Sequence, residues 1–229
     1  DFSPTNASST GFLPGGVGWY RKAFTLNSAG DGRRILVEFD GVMRNSDVWL
    51  NGLHVGHRPY GYISFHYDLT PHLRLGGATN VLVVRCEREN VADSRWYPGS
   101  GIYRNVRLVM LPPVHIPIWG VFVTTPRVTV DAADVVVNAD VRNTLGTNCP
   151  ARMVVQWLDS AGKLVGEAEQ THTIAAAATF TFTLWRALSE PQLWSPETPA
   201  LYTAVCRVFL GTQPVDETRT TFGIREARF

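Results

Sequence analysis

Apolar and polar residues alternate along this chain over short runs, and clusters of turn-forming residues separate one run from the next. Trp19–Leu26, Arg34–Phe39, Asp47–Leu50, Val81–Cys86 and Val106–Leu111 are rich in Val, Ile, Phe, Tyr and Trp. Each predicts a strand, because side chains that alternate between two faces put one face on a core. Gly15-Gly16, Asp40-Gly41, Asn51-Gly52 and Gly76-Gly77 punctuate them. Asn51-Gly52 directly follows Val48-Trp49-Leu50 and is a strong hairpin signal, since a type I′ turn needs positive φ at both central residues. No long stretch keeps a helical period. Asp68–Leu73 is the one segment that fits a helical turn, and a short capped loop fits it equally well.

Pro112-Pro113 divides the pattern, because proline fixes φ and removes a ladder donor, so a proline pair is foreign to a central strand. Beyond it the chain is poorer in Gly and richer in Ala, Thr and Val. Strand-like runs recur at Val135–Val141, Met153–Leu158, Gln170–Ile174, Thr179–Leu184, Leu201–Phe209 and Thr218–Phe222. The expectation is an all-β chain of two domains, 1–112 and 113–229, each a sandwich or jelly roll, the second immunoglobulin-like without the Cys…Trp…Cys framework of antibody domains.

Composition narrows the function classes. Hydrophobic residues make up 45% of the 229, enough for two cores, and Lys+Arg 21 against Asp+Glu 20 gives a formal charge of +1. Neither domain carries the basic face that neutralises phosphates, so nucleic acid is not an expected partner. No apolar run approaches the roughly 20 residues that span a bilayer, so a membrane is not expected either. Asp1 is preceded by no initiator Met or signal-type apolar run, and the chain is expected to begin downstream of its gene's start. Cys86 and Cys206 sit inside strand-like runs and are expected as buried thiols, whereas Cys149 is left open to a disulfide.

Tests for chemistry return little. His54 and His57 are three apart and are expected as solvated loop residues flanking the hairpin, with His66 and Asp68 a weaker pair still; no HExxH or Cys/His cluster is present. Phosphate loops and the GxSxG elbow are missing, and the glutamates are scattered. No cofactor, metal or complete catalytic set is therefore expected. Trp119, Trp157, Trp185 and Trp194 are expected to pack in the core or between domains. One segment differs from the rest: Asp93-Ser94-Arg95-Trp96-Tyr97-Pro98-Gly99-Ser100-Gly101-Ile102-Tyr103-Arg104. Arg and Trp displayed together suit a sugar, the guanidinium offering planar donors to hydroxyls and the indole face meeting sugar C–H groups. The alternative is a tight turn whose aromatics plug the sandwich end, with Arg95 paired to Asp93.

This segment also carries a resemblance. SRWYPGSGIYRNVRL, LPGGVGWYRKAF, FDGVMRNSDVWLNGLHVG and FHYDLTPHL together resemble the sugar-binding domain of glycoside hydrolase family 2. HIPIWGVFVTTPRV, LWSPETPALYTAVCRVF and TTFGIREARF resemble the entry and exit of that family's immunoglobulin-like second domain. The resemblance implies a galactose-binding-like jelly roll, clipped at its N-terminus, followed by an immunoglobulin-like β-sandwich. It further implies a C-terminal TIM barrel in the parent chain, whose two glutamates perform retaining hydrolysis. The family's Asn-Glu motif does not occur in these residues, so the chain alone is expected to be inert. The RWYxGSGIYR form is similar to one group of large β-galactosidases, and related glucuronidases and lac-type enzymes have an aspartate where Arg95 stands. Asp93, Arg95 and Trp96 are accordingly the expected contacts to a terminal galactoside, with either Arg95 or Asp93 touching the sugar. A β-glucuronidase or β-mannosidase of the same family, and a free-standing carbohydrate-binding module, are the alternatives. The resemblance leans to a periplasmic or secreted setting.

Overall fold

The alternating runs fold as strands in both halves. A computed structural model describes residues 16–28, 32–88 and 99–226, among which no α-helix occurs. The chain divides into two compact units, Asp1–Met110 and Leu111–Phe229.

The first unit contains β1 (Gly16–Thr25), β2 (Arg34–Phe39), β3 (Val42–Met43), β4 (Ser46–Leu50), β5 (Leu53–Arg58), β6 (Phe65–Asp68), β7 (Thr79–Arg88) and β8 (Gly101–Ile102), and it closes on β9 (Val106–Leu111). One sheet has the order β1-β7-β4-β5, a second β6-β2-β9, and β3 pairs β8. The two larger sheets share one core, in which Val48, Leu50, Val84 and Cys86 of the first meet Val37, Phe39 and Phe65 of the second. The rings of Phe39 and Phe65 stack at 4.9 Å. Alternation is the reason: Ser46, Val48 and Leu50 point inward, while Asp47 and Trp49 point out. Between β4 and β5, Asn51 and Gly52 take φ of 53° and 88°, which is the type I′ turn that the dipeptide predicts. The Asn51 side chain then clamps the turn, its Oδ1 accepting from the Val81 N–H and its Nδ2 donating to His72 O.

The candidate helical turn is a single 3₁₀ turn, Thr70–His72. Asp68 ends β6 and holds the first residue of the turn, Oδ1 accepting from the Thr70 N–H at 2.9 Å and from Thr70 Oγ1 at 2.6 Å, while Arg34 holds the other oxygen. Burial pushes the Asp68 carboxyl up, but the bonds from Arg34 and Thr70 outweigh it and hold the group below the ordinary 3.8. A carboxyl depressed in the folded state adds stability that is present above the unfolded value and is lost as pH falls through the folded one. Asp68→Asn should therefore lower Tm at neutral pH and lower it less at acid pH, as the folded-state carboxyl protonates. An equal loss at both pH values in a melting series would show that Asp68 acts only through shape.

The second unit contains β10 (Val114–His115), β11 (Val121–Val128), β12 (Ala132–Asn143), β13 (Cys149–Leu158), β14 (Leu164–Ile174), β15 (Thr179–Ser189), β16 (Tyr202–Leu210) and β17 (Gln213–Phe222). In one sheet β12 pairs β15 along its length, and β10 and β11 share its other edge. The other sheet has the order β14-β13-β16-β17. Their inner faces supply the core, including Val135, Val137, Val141, Met153, Trp157 and Phe182. The architecture is a jelly-roll-type sandwich followed by an immunoglobulin-like sandwich.

The structure refines three expectations here. Of the four tryptophans weighed as packing residues, Trp157 is fully buried, whereas Trp119 and Trp185 are each 62% exposed within this unit. Both exposed rings follow from placement: Trp185 falls on the outward register of β15, and Trp119 sits in a turn at φ 61°. Cys149 forms no disulfide, and all three cysteines are free and buried; burial pushes the thiols of Cys86 and Cys206 up to about 11 and about 12. Nor are His54 and His57 loop residues. Both lie on β5, where they share a carboxylate described below.

Candidate sugar-contacting rim

At one end of the first sandwich three loops meet: residues 40–45, residues 59–64 and the described part of the singled-out segment, residues 99–104. The two short strands tie the first to the third, with Val42 opposite Ile102 and Met43 opposite Gly101. Gly101 has φ +83°, and a Cβ there would run into the Tyr20 hydroxyl, so glycine is required on both counts. Tyr103 ties the third loop to the second by donating its phenolic hydrogen to Gly61 O at 2.9 Å. Its ring lies so close to Gly41 that an added Cβ would stand 2.6 Å from Cζ. Further bonds close the rim: the Asn45 N–H donates to Pro59 O at 3.1 Å and Ser64 Oγ to Asp40 O at 3.1 Å. Arg88, at the end of β7, donates to Ser100 Oγ at 3.2 Å.

The rim presents aromatic faces and cations. Tyr60 and Tyr62 pack edge to face at 5.7 Å and are 56% and 45% exposed, and the Arg104 guanidinium lies 5.9 Å over the Tyr103 ring. Below it, Arg107 grips Asp40 with two parallel bonds, Nη1–Oδ1 at 2.6 Å and Nη2–Oδ2 at 2.8 Å. The Arg107 hydrogen bond holds the Asp40 carboxyl below its usual range. Every resolved carboxyl shift among the described residues is in that direction, at Asp40, Asp47, Asp68, Asp134, Glu197 and Glu217. A general acid for glycoside cleavage needs the opposite shift. The rim offers aromatic faces and guanidinium donors of the kind that suit a polyol, and the Asp40 carboxyl beside it is shifted away from the range of a general acid.

Asp93, Arg95 and Trp96 lie outside the described residues, so the expected sugar contacts have no geometry here. Sequence reasoning passed over Tyr60, Tyr62 and the Gly41–Tyr103 contact. Tyr60-Gly61-Tyr62 was the available signal, two aromatics flanking a glycine just before a strand. Beside the rim an open groove of about 550 Å³ runs along β1 and β9. Its lining combines apolar Val37, Phe39 and Val84 with Tyr20, Arg21, Lys22 and Arg107.

Comparison with known sequences decides the family. The profile "Glycosyl hydrolases family 2, sugar binding domain" matches residues 8–112, and "Glycosyl hydrolases family 2" matches residues 114–225. The chain belongs to glycosyl hydrolase family 2. It is 43% identical over 227 residues to the β-galactosidase BoGH2A of Bacteroides ovatus, covering 98% of this chain and 27% of that protein. It is 30% identical over 234 residues to a β-glucuronidase of Formosa agariphila, covering 93% of this chain and 24% of that one. Among solved structures, a family 2 member from Bacteroides cellulosilyticus superposes with a TM-score of 0.91 at 38% identity, over all of this chain and 31% of that one. The chain thus spans about a quarter to a third of the length of these relatives, and family 2 membership rests on both of its units.

Proposed function

We propose that this chain is the non-catalytic front of a retaining β-galactosidase, supplying scaffold and one wall of the subsite that holds a terminal β-galactosyl unit. The 43% identity to a β-galactosidase across 98% of the chain carries the reading. In this proposal residues 1–112 form the sugar-facing domain and residues 113–229 the spacer. Asp93, Arg95 and Trp96 complete the rim against a barrel in the rest of the parent chain. The wall positions the sugar and excludes water, while glutamates of the barrel perform the displacement. The likeness to a β-glucuronidase favours a second reading, in which the sugar carries a carboxylate.

Aryl galactoside, glucuronide and mannoside assays on the full-length parent test this reading. Galactoside turnover well above the other two is expected, and a preference for glucuronide would transfer the proposal to the second reading. The 229-residue chain alone should hydrolyse none of them. Turnover that survives repurification would place a catalytic pair within these residues.

A further inference from the structure

The outer face of the β1-β7-β4-β5 sheet carries an ordered set of side chains that the rim does not use. Register places Trp19 on β1 opposite Arg85 on β7, Arg85 opposite Asp47 on β4, and Asp47 opposite His57 on β5. The adjoining row on the same face brings in Trp49 opposite His54. A bulge in β5 puts two histidines three residues apart on one face, because Trp49 faces His54 while Val48 faces Gly56. Trp19 leans across β7 to stack on Trp49, centroids 5.5 Å apart and planes inclined by 28°, and Trp49 in turn packs against His54. Trp19 remains 62% exposed, so one indole surface faces water with its orientation already fixed.

The polar row beside it is equally organised. Asp47 Oδ1 lies 3.0 Å from both His54 Nε2 and His57 Nδ1, Arg85 Nη1 stands 3.6 Å from Asp47 Oδ2, and Arg85 also pairs Glu87. These side chains hold one another in place and keep part of their surface open, the two histidines 48% and 43% and Arg85 27%.

We propose that this face binds a neutral glycan chain, with Trp19 as the stacking platform and His57, Arg85 and Asp47 as partners for its hydroxyls. An indole held flat meets the C–H face of a pyranose, and fixed donors and acceptors at its edge take the ring hydroxyls in place of water. An apolar protein surface laid here would strip water from Arg85, Asp47 and Glu87 without replacing it, which is costly. A glycan replaces that water with hydroxyls. Arg85 is balanced by two carboxylates, so the row offers no surplus cation to select a charged polymer. The proposal does not rest on the galactosidase reading, since it uses no residue of the rim and needs no turnover.

Affinity electrophoresis of the 229-residue chain through gels containing β-1,4-galactan, mixed-linkage β-glucan or polygalacturonate tests it directly. At least one neutral β-glycan should retard the wild-type chain. Trp19→Ala should weaken that retardation by about tenfold or more, as expected for loss of one stacked ring. Trp19→Phe should restore much of it. The Tm of Trp19→Ala should stay near wild type, because the ring is largely in water. Should Trp19→Ala melt early, His57→Ala supplies the same comparison from the other end of the row. Equal retardation of wild type and both alanine variants would overturn the proposal, as would retardation by polygalacturonate alone or by none of the three polymers. Loss of galactosidase activity in the parent with retardation intact would strike the proposed function and leave this one standing.

Discussion

Replacing Trp157 with alanine should cost the second unit about 3–5 kcal/mol, the range for removing a buried aromatic from a core that closes only partly around the gap. Trp157 is fully buried on β13, with Gly166 of β14 opposite on one side and Ala204 of β16 on the other. Neither of these small cross-strand neighbours can repack into the void the indole would leave. A domain of this size has roughly 5–15 kcal/mol in total, and the variant should sit at the edge of folding at ambient temperature.

The indole also brings a penalty that makes the experiment sharper. Trp157 Nε1 is buried with no hydrogen-bond partner among the described residues, and an orphaned buried donor costs about 1–3 kcal/mol. Trp157→Phe removes that donor along with part of the ring, so the two effects oppose and the net loss should be well under that of alanine. Urea denaturation followed by circular dichroism reads both variants. If phenylalanine costs as much as alanine, the orphaned donor is not an energetic liability, and a feature of the indole other than its volume sets the stability of this core.

How far the chain was legible depended on whether a strand is dictated by its own pattern or by a distant partner. Arg34–Phe39 and Val106–Leu111 occur with the bounds read from alternation, because their neighbours impose no competing period. Leu53–Arg58 was implied by the hairpin at Asn51-Gly52 but had no bounds, since the β5 bulge breaks the two-residue period that would have set them. Val121–Val128 was missed because Pro126 interrupts it; the strand tolerates proline where its ladder slips between Thr124 and Arg127, and it pairs on one side only. Val42–Met43 and Gly101–Ile102 exist only because each pairs the other, and two residues carry no periodicity.

The same reasoning covers the site. An odd composition drew attention to Asp93–Arg104, but the tie between Tyr103 and Gly61 joins residues 42 positions apart, and nothing local announces it. His54 and His57 were read by spacing alone, and the bulge that unites them on Asp47 is a property of the pairing.

In the full-length parent, Arg95→Ala should lower kcat/KM for galactosides by about 1–3 kcal/mol, the cost of removing a charged hydrogen-bond partner from a bound hydroxyl. Small aryl galactosides should show the full loss, because the proposed contact is to the galactosyl unit and not to the leaving group. Tm should hardly move if the guanidinium faces the sugar. If Arg95 instead braces the turn through Asp93, the pattern inverts, with a lower Tm and near-normal kinetics well below it. Trp96→Ala separates the same two roles with a larger effect. A stacking platform would surface mainly in KM, whereas a plug for the sandwich end would cost about 3–5 kcal/mol of folding stability, as buried aromatics do. The rim favours the kinetic pattern, because Tyr103, Gly41 and Gly101 already fix residues 101–104. Arg95→Lys completes the set. Lysine keeps the charge and loses the planar fork, so a contact that depends on two directed N–H donors should recover little of the lost kcat/KM, and a purely coulombic one should recover most of it.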